Sequence, residues 1–177
     1  MMTETNSAMQ SVAAPVLLPQ TSSLHLMDGI VALPIAGIIS QCSESCFLAE
    51  PLAAYLSDAT GLRWNITRGE HRDVDVLLTI NPELEAHGYT LTVSHDVVPI
   101  VVEGRDAAAL RDGVQTLRQL IAQYGIAMPC LEIADRPAYA VRSYSLDVTR
   151  GRVPTLAWLK TWIDKLCLYK YNQLQLY

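Results

Sequence analysis

Between residues 74 and 102 the chain alternates. Val74, Val76, Leu78 and Ile80 interleave with Asp75 and Thr79, and Tyr89, Leu91 and Val93 interleave with Thr90, Thr92 and Ser94. A period of two places each apolar set on one face of a sheet. Asn81 and Pro82 end the first of these strands. A tight connection through Ser94, His95 and Asp96 leads into an apolar return over residues 97–102, which predicts an antiparallel hairpin. The period then changes. Leu110, Val114, Leu117, Ile121 and Tyr124 recur at four and three, as on one face of a helix, with Asp106 as its N-cap and Gly125 as its stop. Arg111, Asp112, Gln115, Arg118 and Gln119 make the other stripe, which the pattern assigns to water.

Weaker patterns fill the rest of this region. Pro51 stands at a plausible first helical position, Leu52, Tyr55, Leu56 and Ala59 share a face, and Gly61 lies just beyond. Residues 62–67 follow as a strand. Ahead of them, residues 16–18 and 30–33 predict short strands or extended edges bounded by Pro19 and Pro34, and residues 35–40 continue as strand. A last short strand is expected over residues 128–133. Residues 1–14 are polar and small, with nothing periodic to bury, and are expected to be disordered. This order has too few crossovers for an all-parallel sheet. It predicts an α+β domain over residues 15–137, a mostly antiparallel sheet with helices packed on one face. Asp135, Arg136 and Pro137 form a stiff connection out of it, because proline fixes its own φ and restricts the residue before it.

Residues 138–177 read differently. A strand over residues 141–148, a helix announced by Pro154 and Thr155 and running to about residue 169, and a strand over residues 173–177 make one β-α-β unit. A parallel pair joined by a crossover helix is normally buried on both faces. This end of the chain therefore asks for partners, and the chain reads as a fragment of something longer. Leu159, Trp162, Ile163, Leu166 and Cys167 form one apolar stripe, with Leu174 and Leu176 on an open strand. Such surface is expected either to fold back on the preceding domain or to pair with a second copy.

Composition narrows the function classes. In 177 residues, 50% are hydrophobic and 18% charged, enough apolar content for a solid core. A net charge of −5 without clustered Lys and Arg argues against nucleic acid. The first fifteen residues lack the pattern of a signal peptide, no window approaches a membrane span, and a cytoplasmic location is the default expectation. Cys42, Cys46, Cys130 and Cys167 lack the second pair that a zinc site needs, and His25, His71, His87 and His95 show no ligand spacing. No metal or cofactor is expected, and the thiols are read as buried and unbridged. The sequon Asn65, Ile66, Thr67 lies in an expected strand and is read as chance.

Arg142, Ser143, Leu146, Asp147, Val148, Thr149 and Arg150, then Ile163, Asp164, and Leu168, Tyr169, Lys170, Tyr171, Asn172, Gln173, Leu174 follow in an order that resembles the first barrel strand, helix and second strand of the glycoside hydrolase family 20 β-N-acetylhexosaminidases. Upstream, GYTLTVS, RDAAALRDGVQTLRQL and ADRP are similar to the smaller domain that precedes that barrel. Arg150, Gly151, Arg152 replaces the Arg-His of many members. The resemblance implies an accessory domain followed by a truncated first β-α-β unit of a (β/α)8 barrel. It also implies removal of terminal β-linked N-acetylhexosamine from a glycan, with the substrate's acetamido oxygen as nucleophile and no cofactor. The family's catalytic Asp-Glu pair lies on later strands, so this chain alone is expected to be inactive.

For single residues the resemblance implies that Arg142 binds sugar hydroxyls, work that suits a planar guanidinium. The bottom-up alternative is an Arg paired with a neighbouring carboxylate at a strand start, and barrel sites lie at the other end of their strands. Asp147 and Arg150 stand nearer that end, with spacing that suits an ion pair pinning the loop. Trp158, Trp162, Tyr169 and Tyr171 are read as packing groups rather than a sugar platform. Glu83 and Glu85 beside Pro82 are read as a solvated loop. Two other functions stay open: a non-catalytic α/β binding or assembly module, and the accessory domain of a related glycosidase of α-glucuronidase or O-GlcNAc-hydrolase type.

Overall fold

The computed structural model describes residues 13–43, 46–69, 72–151 and 153–177. The expected disorder of residues 1–14 falls almost wholly outside them, as do His71 and Arg152. Nine strands and three helices follow along these residues: β1 (Ser23–Ala32), β2 (Ala36–Gln41), α1 (Cys46–Thr60), β3 (Arg63–Arg68), β4 (Val76–Ile80), β5 (Tyr89–Val93), β6 (Ile100–Gly104), α2 (Ala107–Tyr124), β7 (Ala127–Asp135), β8 (Ser143–Leu146), α3 (Leu156–Leu168) and β9 (Gln173–Leu176).

Seven strands form one sheet in the order β1-β7-β5-β6-β4-β2-β3. The run β1-β7-β5-β6 is antiparallel throughout and includes the expected β5-β6 hairpin. From β6 through β4 and β2 to β3 the pairing is parallel, with α1 as the crossover between β2 and β3. Both helices pack on one face, α2 against β5, β6 and β7 and α1 against β2 and β3. The α+β class is as the pattern predicts. Between them lies the core, in which Ile39, Leu56, Val76, Leu78, Leu91, Val102, Leu110 and Leu117 are fully buried.

Local chemistry explains the boundaries. Asp106 accepts a hydrogen bond from the Ala109 N–H at 2.8 Å and caps α2, and Gly125, at φ +64°, closes it with its N–H on the Ile121 carbonyl. Inside α2, Gly113 stands where a Cβ would lie 2.7 Å from Val102 Cγ1 and 3.0 Å from the Tyr89 ring, so a glycine is required for this close approach to the sheet.

The pattern misplaced five features. Strand β1 runs over Ser23–Ala32 along β7, where the pattern expected a strand only over residues 30–33. Helix α1 begins at Cys46, so Pro51 lies inside it rather than at its start. The missing N–H leaves the Phe47 carbonyl without its helical donor, and burial of Leu48, Ala49, Leu52, Ala53 and Leu56 outweighs that loss. Strand β6 begins at Ile100, because the loop closes with the Ser94 N–H on the Pro99 carbonyl and leaves Val97 exposed. Residues 16–18 join no strand. They lie along α2, where the side-chain amides of Gln119 and Gln123 each exchange two hydrogen bonds with the backbone of Leu18 and Val16. Last, the α2 stripe assigned to water is largely covered: Asp112, Gln115 and Gln119 are buried.

Part of that cover is the C-terminal unit. Strands β8 and β9 pair in parallel as a separate two-stranded sheet, with α3 as the crossover. Thr155 caps α3 by accepting from the Trp158 N–H. The unit does fold back on the preceding domain, with α3 against α2, and Leu166 is its buried apolar contact. Among the described residues no helix is long and apolar enough to cross a membrane.

Candidate functional site

Charged side chains converge where the C-terminal unit meets α2 and the end of the sheet. Helix α3 ends in a Schellman motif: the Tyr171 N–H reaches the Leu166 carbonyl and the Lys170 N–H the Cys167 carbonyl, with Lys170 left-handed at φ +63° in the position glycine usually takes. Its side chain accounts for the exception. The Lys170 ammonium donates to Tyr89 Oη at 2.7 Å and to Asp135 Oδ2 at 3.1 Å, a pair in which Lys170 is buried and the Asp135 side chain is 9% exposed. Tyr89 Oη lies 2.7 Å from Thr116 Oγ1 and donates to Asp135 Oδ2 at 3.0 Å.

Burial and charge compete here. Desolvation pushes Lys170 below its ordinary value, with the Asp135 carboxylate pulling the other way. Burial works against the charged Asp135, yet the Lys170 ammonium and the Ser22 N–H and hydroxyl outweigh it and hold the carboxyl below its ordinary value. Burial, then the Asp135 charge, raises Tyr89 far out of its usual range, so the phenol stays protonated.

Arg142, the expected sugar ligand, belongs to this junction. Its Nη2 donates to Asp112 Oδ2 at 2.7 Å, its Nε to the Lys170 carbonyl at 2.6 Å and its Nη1 to the Tyr139 carbonyl at 2.9 Å. Asp112 also accepts from Arg111 at 2.7 Å, so one carboxylate with 4% side-chain exposure is shared by two guanidinium groups. A cleft of about 340 Å³ opens beside the cluster, with Tyr89, Asp112, Asp135, Tyr139, Arg142 and Lys170 in its wall. A guanidinium carries five N–H donors, so two of those on Arg142 lie outside these three bonds.

The opposite, carboxyl end of β8 holds a second cluster. Asp147 accepts from the Thr149 N–H and hydroxyl, from the Arg150 N–H, and from Arg150 Nε at 2.9 Å. The Thr149 backbone bond leads in holding the Asp147 carboxyl below its ordinary range. This is the pinned loop that the spacing predicts, with Arg150 exposed. Next to it, Leu146, Val153, Pro154, Thr155 and Trp158 line an apolar cleft of about 310 Å³. Trp158 stacks on Trp162 at 5.4 Å between centroids, and Tyr144 meets Trp162 and Tyr171 edge-on, so these aromatics pack on one another. Among the described residues no group of three His, Cys, Asp or Glu side chains is placed to hold a metal.

Sequence reasoning missed Asp112, Asp135, Tyr89 and Lys170 as a set. One signal was present: a lysine where a helix ending at Leu168 would ordinarily place glycine.

Residues 14–136 match the family model described as glycosyl hydrolase family 20, domain 2. A beta-hexosaminidase of Akkermansia muciniphila is 35% identical over 99 residues, 54% of this chain and 20% of that protein. A beta-N-acetylhexosaminidase of Cellulomonas fimi is 38% identical over 107 residues, 58% of this chain and 21% of that protein. The chain thus spans about a fifth of the length of these curated relatives. Among solved structures, the N-acetyl-beta-hexosaminidase of Streptomyces plicatus superposes with a TM-score of 0.78 at 28% identity, over 91% of this chain and 34% of that one. The GH20 beta-N-acetylhexosaminidase of Streptomyces coelicolor A3(2) gives 0.77 at 30%, over 93% and 35%. With its sheet and two covering helices matched over residues 14–136, the chain belongs to glycoside hydrolase family 20.

Proposed function

We propose that residues 15–137 are the accessory domain, and residues 138–177 the opening of the catalytic (β/α)8 barrel, of an enzyme that removes terminal β-linked N-acetylhexosamine from glycans by a retaining, substrate-assisted mechanism. The observation that carries this reading is the parallel β8-α3-β9 unit, seated on a family 20 domain through the Arg142–Asp112 and Lys170–Asp135 ion pairs. Barrel enzymes work at the carboxyl ends of their strands. On this chain that end of β8 is the cluster of half-buried Asp147 with exposed Thr149 and Arg150. Arg142 stands at the amino end with three hydrogen bonds made to protein, which supports a scaffold role for it over direct contact with sugar.

On this reading the exposed Leu156, Ile163 and Leu176 are covered by later barrel elements rather than by a second copy. The test compares the 177-residue chain with the same chain continued by its downstream coding sequence, using a chromogenic β-N-acetylglucosaminide and light scattering. The longer protein is expected to turn over substrate and stay unassociated, and the shorter one to be inactive and to self-associate as its concentration rises. Turnover by the shorter chain, with contaminating enzyme excluded, overturns the division of labour. Inactivity of the longer one returns the chain to the class of binding modules.

A further inference from the structure

We propose that Asp112 is a positioning residue: through Arg142 it fixes the direction of β8, and so the place of Asp147, Thr149 and Arg150 at the strand's carboxyl end. This rests on the functional reading above and adds to it a residue on the accessory domain, outside the barrel.

The anchor is firm at its base. Asp112 sits on α2, one residue before Gly113, where the helix touches Val102 and the Tyr89 ring, and Leu110, Leu117 and Leu120 around it are fully buried. A carboxylate fixed in this way has little freedom to follow a partner. The partner must come to it. Arg142 does so with one nitrogen and uses two others on the carbonyls of Lys170 and Tyr139.

The same residue ties the two strands of the C-terminal unit together. Asn172 Oδ1 accepts from the Arg142 N–H at 2.8 Å, the Asn172 N–H donates to the Arg142 carbonyl at 3.0 Å, and Asn172 Nδ2 donates to the Ala140 carbonyl at 2.7 Å. At the far end the Val148 N–H donates to the Tyr177 carbonyl and the Tyr177 N–H to the Leu146 carbonyl. The pair is therefore a short ladder closed at both ends. Strand β8 has four residues, or roughly 13 Å at about 3.3 Å per residue. A tilt released at Arg142 thus appears as a displacement of the Asp147 loop.

Ordinary stabilisation does not account for the arrangement as well. An ion pair of this kind is often no better for stability than apolar residues of similar volume, so the pair is assigned to geometry instead. Here the apolar contact between α3 and the preceding domain is small, and the charged groups set the orientation.

The test has two arms. In the 177-residue chain, Asp112→Asn is expected to raise amide hydrogen exchange over residues 143–150 while leaving β5 and β6 protected. Arg142→Lys keeps the charge but loses the planar fork, and is expected to do the same. In the chain extended through its barrel, D112N is expected to lower kcat about 10- to 100-fold, measured well below the thermal midpoint of each variant. Asp112→Glu recovers part of the loss. Glu85→Gln, which removes the exposed Glu85–Arg136 pair, leaves kcat unchanged. Unaltered exchange over residues 143–150 in both D112N and R142K overturns the proposal, as does a wild-type kcat in folded D112N. An inactive extended wild type defeats the functional reading instead, and the exchange arm then decides the anchor alone.

Discussion

Helices α2 and α3 are both amphipathic by sequence, and they end in opposite circumstances. Eleven residues of α2 are buried, among them Asp112, Gln115, Thr116 and Gln119, because the sheet lies on one side and residues 16–18 with the C-terminal unit on the other. In α3 the buried residue is Leu166, and Leu156, Trp158 and Ile163 remain exposed. The difference lies in what each helix packs through. Helix α2 is held by apolar area, which is non-directional and adds up. The end of α3 is held by Lys170, Arg142 and Gln119, whose Nε2 bridges the carbonyls of Leu18 and Leu168 at 2.7 and 3.0 Å. Hydrogen bonds of this kind specify an orientation more than they supply stability.

Three measurements break or sharpen this contrast. Lys170→Met is expected to cost about 3–5 kcal/mol in urea unfolding, since it leaves the Asp135 carboxylate, its side chain 9% exposed, without its counter-ion. A loss under 1 kcal/mol would show that polar anchoring of the C-terminal unit is dispensable. Next, Leu117→Ala in α2 is expected to cost about 2–5 kcal/mol. Ile163→Ala in α3 is expected to stay within about 0.5 kcal/mol. Equal losses at the two positions would remove the distinction between the helices.

The smallest effect is with pH. Because the folded state holds the Asp135 carboxyl below its ordinary 3.8, the unfolded chain binds that proton more readily. The pair's stabilisation is then complete above that value and is lost as pH falls through the folded one. Urea midpoints from pH 7 down to pH 3 are expected to fall more steeply in the wild type than in Asp135→Asn, and parallel curves would remove Asp135 from the acid response.

The legible parts were those set by local period and local caps. Alternation over residues 74–80 and 89–93 gave strands β4 and β5, and Asp106 and Gly125 gave the ends of α2, because a two-residue pleat and a capped turn are decided by neighbours in sequence. The start of α1 was not legible from Pro51, since long-range burial of Leu48 and Ala49 carries the helix past the local breaker. The polar stripe of α2 misled for a related reason. Polar residues face water by default, and a pattern cannot tell a solvated Asp from one whose counter-ion arrives from thirty residues away.

Sequence alone determined the α+β class, the hairpin, the long helix and the β-α-β unit after Pro137, and its motifs carried the family resemblance. Tertiary structure alone decided the junction. Tyr89, Asp112, Asp135, Arg142 and Lys170 are scattered over 82 positions, from a strand to a helix cap, and nothing in their spacing relates them. They become one site because a desolvated charge must find its partner wherever the fold brings one within about 3 Å, and that is a condition on space, which the order of residues does not express.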